Sequence, residues 1–284
     1  MSAIDERTAW ELVRGVVPGS AARGLPARSR AALNEDVWVD VEVDGSWRAS
    51  REVSDAARDV FDIYLPVRVA REVVVGQLGQ SLDGRIATDT GASHFVTGRK
   101  DIERLHRLRA LVDAVVVGAS TVAQDDPMLT VRLVDGPSPV RVVLDPSGRL
   151  EGSHKVFTEP TARPLVAVRA GGEGFAADAS REELPIPWSD EEGFDLAALV
   201  KRLHALGLAR ILVEGGGVTV SGFLRAGLLD RLHITVAPML IGSGRPSITL
   251  DSIASLDEAL RPSCRRFILG EDVLFDLDLR AGRG

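Results

Sequence analysis

A strand-like run that ends in a carboxylate and three glycines is the part of this sequence best suited to bind a ligand. Residues 210–213 are mostly apolar, Glu214 and glycines 215–217 follow, and a helical pattern begins at Thr219. Glycines at such a turn let backbone N–H groups approach an anion, and the next helix N-terminus adds a favourable dipole. Val220 stands where the dinucleotide fingerprint has its last glycine, so the turn is not that fingerprint. It predicts a phosphate or pyrophosphate site or, alternatively, a tight turn without ligand.

Two other segments carry polar residues just past predicted strands. Asp83 and Gly84 give a turn signal after the strand at 73–78. Residues 118–132 contain small hydroxyl residues, two adjacent aspartates and Arg132. We expect Asp125, Glu214, Arg109 and Arg132 all to lie near the carboxyl ends of strands or on the helices beside them. Acidic groups beside arginines suit a polar, phosphorylated substrate. Each charge taken alone is more often a solvated surface group than a functional one.

Several other chemistries are disfavoured by the residues present. The sequence has no G-x-x-x-x-G-K-[ST] loop and no G-x-S-x-G nucleophile motif. Its five histidines lack metal-site spacing, and its single cysteine, Cys264, cannot form a Cys-based metal site. We therefore expect no metal. A reaction such as hydride transfer remains, in which a cofactor supplies the chemistry and the protein positions it.

Length and charge narrow the class of protein. The 284 residues, 45% of them hydrophobic, suffice for one large domain or two small ones. A net charge of −7 does not favour nucleic-acid binding. No apolar run approaches the roughly 20 residues that span a bilayer, and the first residues do not resemble a signal peptide. We expect a soluble cytoplasmic protein.

The first 70 residues differ in character from the rest, with three of the four tryptophans. The spacing predicts a helix over 8–17, a strand over 37–43 followed by a hairpin turn, and a helix over 54–65 that ends at Pro66. Residues 19–32 show no period and are interpreted as a linker. Residues 1–70 are thus predicted to be a small α/β appendage of unknown role.

From residue 71 onward, strand and helix patterns alternate. Strands are predicted at 73–78, 114–118, 140–144, 165–168, 210–213 and 232–238, helices at 99–112, 196–206 and 219–226, and an antiparallel hairpin at 265–279. This order predicts an α/β fold with a doubly wound, mostly parallel sheet and an antiparallel C-terminal end. Such sheets bind ligands at the carboxyl ends of their strands, where Glu214 would lie.

Several ordered motifs together resemble one enzyme family. They lie at residues 81–87, 106–110, 125–132, 213–216, 223–228 and 237–242. The chain from about 71 to 280 resembles the reductase domain of the riboflavin-biosynthesis deaminase-reductase. That resemblance implies a dihydrofolate-reductase-like fold over 71–284. It also implies a homodimer that uses NADPH to reduce the ribosyl group of an aminopyrimidine ribosylamine 5′-phosphate to ribityl.

The resemblance also assigns roles to residues. Cofactor contacts are implied for Gly79, Phe95, Thr121, Asp125, Gly215, Gly216, Gly217, Val218 and Thr219. Substrate contacts are implied for Ser93, Arg109, Leu129, Arg132 and Glu214, with the arginines holding the 5′-phosphate. Asp125 and Glu214 are the hypothesised acid–base groups, which orient the sugar or manage the proton.

Two departures from the family pattern leave alternatives open. Gln77 replaces a lysine that contacts substrate in the bifunctional enzymes, and residues 1–70 with Cys264 cannot supply the zinc ligands of the deaminase. We therefore expect another protein to deaminate, or reduction to come first. The alternatives are an NADPH-dependent reductase of a pterin or another imine or carbonyl compound, and a non-catalytic nucleotide-binding protein.

Overall fold

The computed structural model describes residues 2–17, 28–93, 96–161, 163–171 and 181–280. Contacts divide the chain into two units, Met1–Val73 and Val74–Gly284. None of the helices in these described ranges is long and apolar enough to cross a membrane.

The first unit combines two helices with a small antiparallel sheet. Its elements are α1 (Glu6–Gly15), β1 (Arg28–Asn34), β2 (Val37–Glu42), β3 (Trp47–Ala49) and α2 (Asp55–Arg68), with strand order β1-β2-β3. Asp5 and Ser54 begin the two helices, because their side chains accept hydrogen bonds from backbone amides three residues later.

Two local predictions for this unit were wrong. Pro66 does not end α2, which continues to Arg68. Pro66 sits in the last turn and packs against the β2–β3 turn, where a Cβ on Gly45 would lie 2.7 Å from the Pro66 ring. The linker predicted over 19–32 is also wrong in part, since Arg28–Asn34 forms β1. Residues 18–27 lie outside the described ranges.

The second unit is built on one large sheet. Its elements are β4 (Val73–Ser81), β5 (Arg85–Thr88), α3 (Arg99–Arg109), β6 (Ala114–Gly118), α4 (Ala119–Asp125), β7 (Val140–Leu144), α5 (Lys155–Thr158), β8 (Pro164–Arg169), β9 (Glu182–Ile186), β10 (Trp188–Ser189), β11 (Gly193–Phe194), α6 (Leu196–Ala205), β12 (Arg210–Val213), α7 (Gly217–Arg225), β13 (Arg231–Ala237), β14 (Gly244–Pro246), a short 3₁₀ helix (Leu256–Glu258), β15 (Ser263–Leu269) and β16 (Asp272–Asp278).

The sheet order confirms the predicted α/β class. Nine strands follow the order β15-β16-β13-β4-β12-β6-β7-β8-β9. The pairs β13–β4, β12–β6, β6–β7, β7–β8 and β8–β9 are parallel, whereas β15, β16 and β13 pair antiparallel. The C-terminal hairpin therefore forms the antiparallel end of a mostly parallel sheet, as the sequence predicts.

Apolar strands and helix faces build the core of this unit. Residues 114–117 of β6 are fully buried, as expected for a strand covered on both faces. Leu199 and Leu203 of α6, with Val220 and Phe223 of α7, pack into the same apolar cluster. This packing holds β4, β12 and β6 side by side, so that the residues following them lie near each other.

Candidate active site

A cavity of about 460 Å³ lies where the neighbouring strands β4, β12 and β6 end. Its polar and glycine lining residues are Gln77, Gly79, Gly91, Ser93, Gly118, Ser120, Thr121, Gln124, Asp125, Glu214, Gly215, Gly216, Gly217, Thr219, Arg245 and Thr249. Segments far apart in sequence meet here, at the edge where open α/β sheets bind ligands.

The glycine-rich turn at the end of β12 requires glycine for two reasons. Gly215 has a φ of +102°, a conformation that residues with a Cβ rarely adopt. A Cβ on Gly217 would lie 2.1 Å from the backbone oxygen of Ser247, so the two chain segments approach closely only because no side chain intervenes. The turn is therefore a fixed, tightly packed structure.

The glycine-rich turn is connected to α4 and leads into α7. The amide of Gly216 donates to Thr121 Oγ1 at 3.0 Å, which ties the turn to α4. Among the described residues no side chain caps α7 at Gly216. The Thr219 amide donates to the Gly216 carbonyl oxygen at 3.1 Å, so the amides of Gly217 and Val218, together with the helix dipole, are the groups that could bind an anion.

Glu214 forms a buried ion pair with Arg109. Arg109 Nε donates to Glu214 Oε1 at 2.8 Å and Nη2 donates to Oε2 at 2.7 Å. Glu214 is 5% exposed and Arg109 8% exposed. Both carboxylate oxygens are thus engaged by one planar guanidinium, which sets the orientation of the side chain.

A second arginine, Arg132, lies in the loop next to the Glu214–Arg109 pair. The Arg132 amide donates to His106 Nδ1 at 3.0 Å, and its guanidinium Nη1 donates to Thr130 Oγ1 at 2.8 Å. Burial, together with the charges of Arg109 and Arg132, lowers the pKa of His106 to about 4. His106 is therefore neutral near pH 7, and Arg132, which is exposed, can meet an anion from solvent.

Asp125 is the last residue of α4 and lines the cavity. Ser93 Oγ donates to Asp125 Oδ1 at 2.9 Å, and both residues are half-buried. This is the hydrogen bond that the structure gives Asp125 within its described residues. Among those residues, none other donates to the second carboxylate oxygen.

The predicted site residues are only partly brought together. Gly79, Ser93, Thr121, Asp125, Glu214, Gly215, Gly216, Gly217, Val218 and Thr219 line the cavity. Arg109 does not line the cavity but is hydrogen-bonded to Glu214, which does. Leu129 and Arg132 belong to the adjacent loop, where Leu129 is buried with a φ of +56°. Phe95 lies outside the described residues.

Arg245 and Gln124 also line the cavity, and sequence reasoning missed both. Arg245 comes from β14, which pairs with β5 across more than 150 residues of chain, and its Nη1 donates to Gln124 Oε1. No local sequence pattern predicts a pairing between strands so far apart in the chain. Gln77, noted as a departure from the family, lines the same cavity and is 5% exposed.

Asp83 is a structural residue of the turn between β4 and β5. Its carboxylate accepts from the amides of Gly242 at 2.7 Å and Ile241 at 3.1 Å, and from Ser81 Oγ at 2.5 Å. These hydrogen bonds, led by that from Ser81, lower the pKa of Asp83 to about 2. The turn interpretation of this segment fits the contacts, since Asp83 does not line the cavity.

The donor set at this site is not that of a metal centre. Within the described ranges no group of three or more His, Cys, Asp or Glu residues could hold a metal ion. The chain is instead an α/β protein with a cavity at the carboxyl edge of its sheet, bordered by a glycine-rich turn and two carboxylates.

Comparison with known proteins identifies the family. Residues 72–266 match the RibD C-terminal domain. The sequence is 35% identical over 218 residues to the 2,5-diamino-6-ribosylamino-4(3H)-pyrimidinone 5′-phosphate reductase of Methanothermobacter thermautotrophicus, an alignment that covers 74% of this chain and 99% of that protein. The chain belongs to the RibD C-terminal domain family.

A second relative and a solved structure support the same family. The riboflavin biosynthesis protein RibD of Aquifex aeolicus is 32% identical over 259 residues, which cover 90% of this chain and 68% of that protein. The structure of Acinetobacter baumannii RibD superposes with a TM-score of 0.65 at 28% identity, covering 79% of this chain and 63% of that one.

Proposed function

We propose that this protein is an NADPH-dependent reductase of riboflavin biosynthesis. It reduces the ribosyl group of an aminopyrimidine ribosylamine 5′-phosphate to a ribityl chain. The observation that carries the proposal is one cavity bordered by the glycine-rich turn, by Glu214 with its partner Arg109, and by the Asp125–Ser93 pair. An anion-binding turn beside oriented carboxylates suits a nicotinamide cofactor and a polar substrate.

The residues present fit a dinucleotide. Uncapped amides at the start of α7 and the positive-φ turn at Gly215 form a backbone donor set for a pyrophosphate. Gly79, Thr121 and Val218 would border the rest of the cofactor. When bound, NADPH supplies a hydride.

The two carboxylates differ in what they can do. Both oxygens of Glu214 accept from Arg109, so Glu214 serves to orient the sugar rather than to exchange protons. Asp125 keeps one oxygen open to the cavity while Ser93 holds the other. Asp125 is therefore the group that holds or delivers the proton required during reduction.

Arg109 and Arg132 have different roles in this proposal. Arg109 is committed to Glu214 and directs Nη1 toward the Thr130 carbonyl oxygen at 3.4 Å. Arg132 is exposed and uses Nη1 on Thr130 Oγ1. We therefore assign the 5′-phosphate to Arg132, with the charge of Arg109 adding to the local positive field.

The test is NADPH oxidation by the purified protein with two candidate substrates supplied in parallel: 5-amino-6-(5-phosphoribosylamino)uracil and its 2,5-diamino-4-pyrimidinone counterpart. Turnover of either supports the proposal. No turnover of either would overturn it. If NADPH still raised the Tm in that case, the protein would instead be a reductase of another substrate. If NADPH also failed to bind, the reductase assignment itself would be wrong.

We also infer a homodimer. Leu240 and Leu256 are each 75% exposed, and Ile268 on the edge strand β15 is 66% exposed. The family resemblance implies the homodimer, and these exposed apolar side chains are the candidates for its interface. Sedimentation should give twice the monomer mass, and Ile268→Glu should shift it toward the monomer. A monomeric parent protein would contradict this.

A further inference from the structure

Arg245 is the one cationic residue among the described residues that line the cavity. The same lining contains two carboxylates, Glu214 and Asp125. Arg109 offsets the charge of Glu214, whereas the bond that Asp125 makes within the described ranges is to a hydroxyl, that of Ser93. Without Arg245 the cavity wall would therefore be net negative, which is unfavourable for a ligand that carries phosphate groups.

The guanidinium of Arg245 has one edge without a partner in the described part of the chain. Nη1 donates to Gln124 Oε1 on α4. Nη2 lies close to the backbone of Gly91, since a Cβ built on that glycine would lie 3.2 Å from it. The Nε and Nη2 donors form one edge of the planar group, and neither donates to a described residue. Arg109 uses this same edge to hold both oxygens of Glu214, so it is the edge that suits two oxygens of one anion.

The fold places Arg245 beside the start of α7. The next two residues, Pro246 and Ser247, pack their backbone against Gly217, where a Cβ would lie 2.5 Å from the Pro246 oxygen and 2.1 Å from the Ser247 oxygen. Gly217 and Val218, whose amides could bind an anion, line the same cavity as Arg245. The backbone donors and the guanidinium therefore border one volume.

Contacts on both sides fix the backbone around Arg245. Its strand, Gly244–Pro246, pairs with β5, and the Ser247 amide donates to the Gly84 carbonyl oxygen at 3.1 Å. The Thr249 amide donates to Ser221 Oγ of α7 at 2.9 Å. The segment is thus tied to β5 on one side and to α7 on the other, so the position of Arg245 relative to the first turn of α7 is set by the fold.

We propose that Arg245 binds the pyrophosphate of the nicotinamide cofactor through its Nε–Nη2 edge, beside the amides of Gly217 and Val218, and that Gln124 is the positioning residue that orients the guanidinium. The inference rests on the proposed function, since it takes the ligand of this cavity to be NADPH. A pyrophosphate matches both donor sets, because its two phosphates offer oxygens to backbone amides and to a guanidinium together.

Two other phosphates could meet a guanidinium in this cavity: the 2′-phosphate of the cofactor and the 5′-phosphate of the substrate. The packing of residues 246 and 247 on the first residue of α7 favours the pyrophosphate. Binding measurements separate the three sources. NADH keeps the pyrophosphate and lacks the 2′-phosphate, and the binding of either cofactor can be measured with no substrate present.

The first experiment measures the Kd of NADPH and of NADH by isothermal titration calorimetry, without substrate, for the parent protein and Arg245→Met. Methionine keeps an unbranched apolar side chain and removes the guanidinium. The Kd of NADPH should rise about tenfold or more, because a charge-assisted contact with phosphate is lost. The Kd of NADH should rise by the same factor, because NADH carries the same pyrophosphate. Arg245→Lys should recover part of the affinity, since lysine keeps the charge but cannot offer two donors along one edge.

Arg225→Met is the matched control. It removes the same charge from the last residue of α7, and Arg225 is exposed and does not line the cavity. Its Kd values should match those of the parent protein. An unchanged Kd for NADPH in Arg245→Met, or an equal rise in Arg225→Met, would overturn the proposal. So would a rise for NADPH alone, which would assign Arg245 to the 2′-phosphate, or a rise only in the KM of the substrate, which would assign it to the 5′-phosphate. Should Arg245→Met lower the Tm of the ligand-free protein, Arg245→Lys provides the same comparison.

A second experiment tests whether Gln124 acts through Arg245. Gln124→Met removes the acceptor of Nη1 and leaves the charge of Arg245 in place, so the Kd of NADPH should rise by a smaller factor than in Arg245→Met. In an Arg245→Met background the same substitution should have no further effect on the Kd, because no guanidinium remains to be oriented. Additive effects would show that Gln124 acts separately and would overturn its positioning role.

The parent protein separates this inference from the proposed function. If it reduces a candidate substrate and Arg245→Met binds NADPH equally well, the proposed function stands and the role of Arg245 is wrong. If the parent protein binds NADPH but reduces neither substrate, the proposed function fails, and the Kd comparison still decides the role of Arg245. If the parent protein binds no NADPH, both fail.

Discussion

Removing one partner of the Glu214–Arg109 pair should destabilise the second unit strongly, whereas removing both should not. Both side chains are at least nine-tenths buried and share two charge-assisted hydrogen bonds. Glu214→Leu leaves a buried unpaired guanidinium, and Arg109→Met leaves a buried unpaired carboxylate. Breaking a buried pair in this way costs about 3–5 kcal/mol. The double variant leaves no uncompensated charge and should cost less than either single variant.

The free energy of unfolding is best followed by urea titration with circular dichroism at 222 nm. Tryptophan fluorescence is less suitable, because three of the four tryptophans lie in the first unit. Arg132→Met is the control, since Arg132 is exposed and should cost no more than about 0.5 kcal/mol. If the losses of the two single variants simply add in the double variant, the pair is not coupled and the reasoning is wrong.

Three further outcomes are expected. Asp125→Asn should lower kcat about 100-fold or more, a much larger effect than it has on the Kd for NADPH; a parent-like kcat would remove Asp125 from the mechanism. Gly215→Ala should lower both the Tm and NADPH affinity more than Gly207→Ala, because both residues have positive φ but a Cβ at 215 also lies 3.0 Å from Thr121 Oγ1; equal Tm losses would contradict the packing argument. The folded-state pKa of His106 is about 4 against 6.5 in the unfolded chain, so the unfolded state takes up the proton first and stability falls as pH drops from 6.5 toward 4. His106→Phe should flatten this pH dependence in urea titrations, and an unchanged slope would assign it to other groups.

Elements with strong local patterns were predictable from the sequence. The β-branched runs of β4 and β6, the helical spacing of α3 and the C-terminal hairpin all lie close to their predicted bounds. The strand β9 was missed because Glu182 and Pro185 are atypical of a strand interior. It lies at the edge of the sheet, where a proline removes no necessary hydrogen bond.

Some residues of the candidate site could likewise be predicted from local sequence, and others could not. Glu214 and the glycine turn directly follow β12, so the α/β rule was enough to place them at the carboxyl edge. Arg245 depends on the pairing of β14 with β5, and the orientation of its guanidinium depends on Gln124. These contacts join residues distant along the chain, which local periodicity does not report.

The place of β4 at the centre of the sheet has a consequence for the order of folding during synthesis. The β4 residue Val74 donates its amide to Asp230, which lies 156 residues later. The cavity wall that β4 provides is therefore fixed in place only after most of the chain has left the ribosome. In the first unit, β1, β2 and β3 pair within a single stretch of chain from Arg28 to Ala49. Because loop closure is faster and less costly over short separations, we expect this unit to fold first, whereas β4 can pair only after its neighbours β12 and β13 have been synthesised.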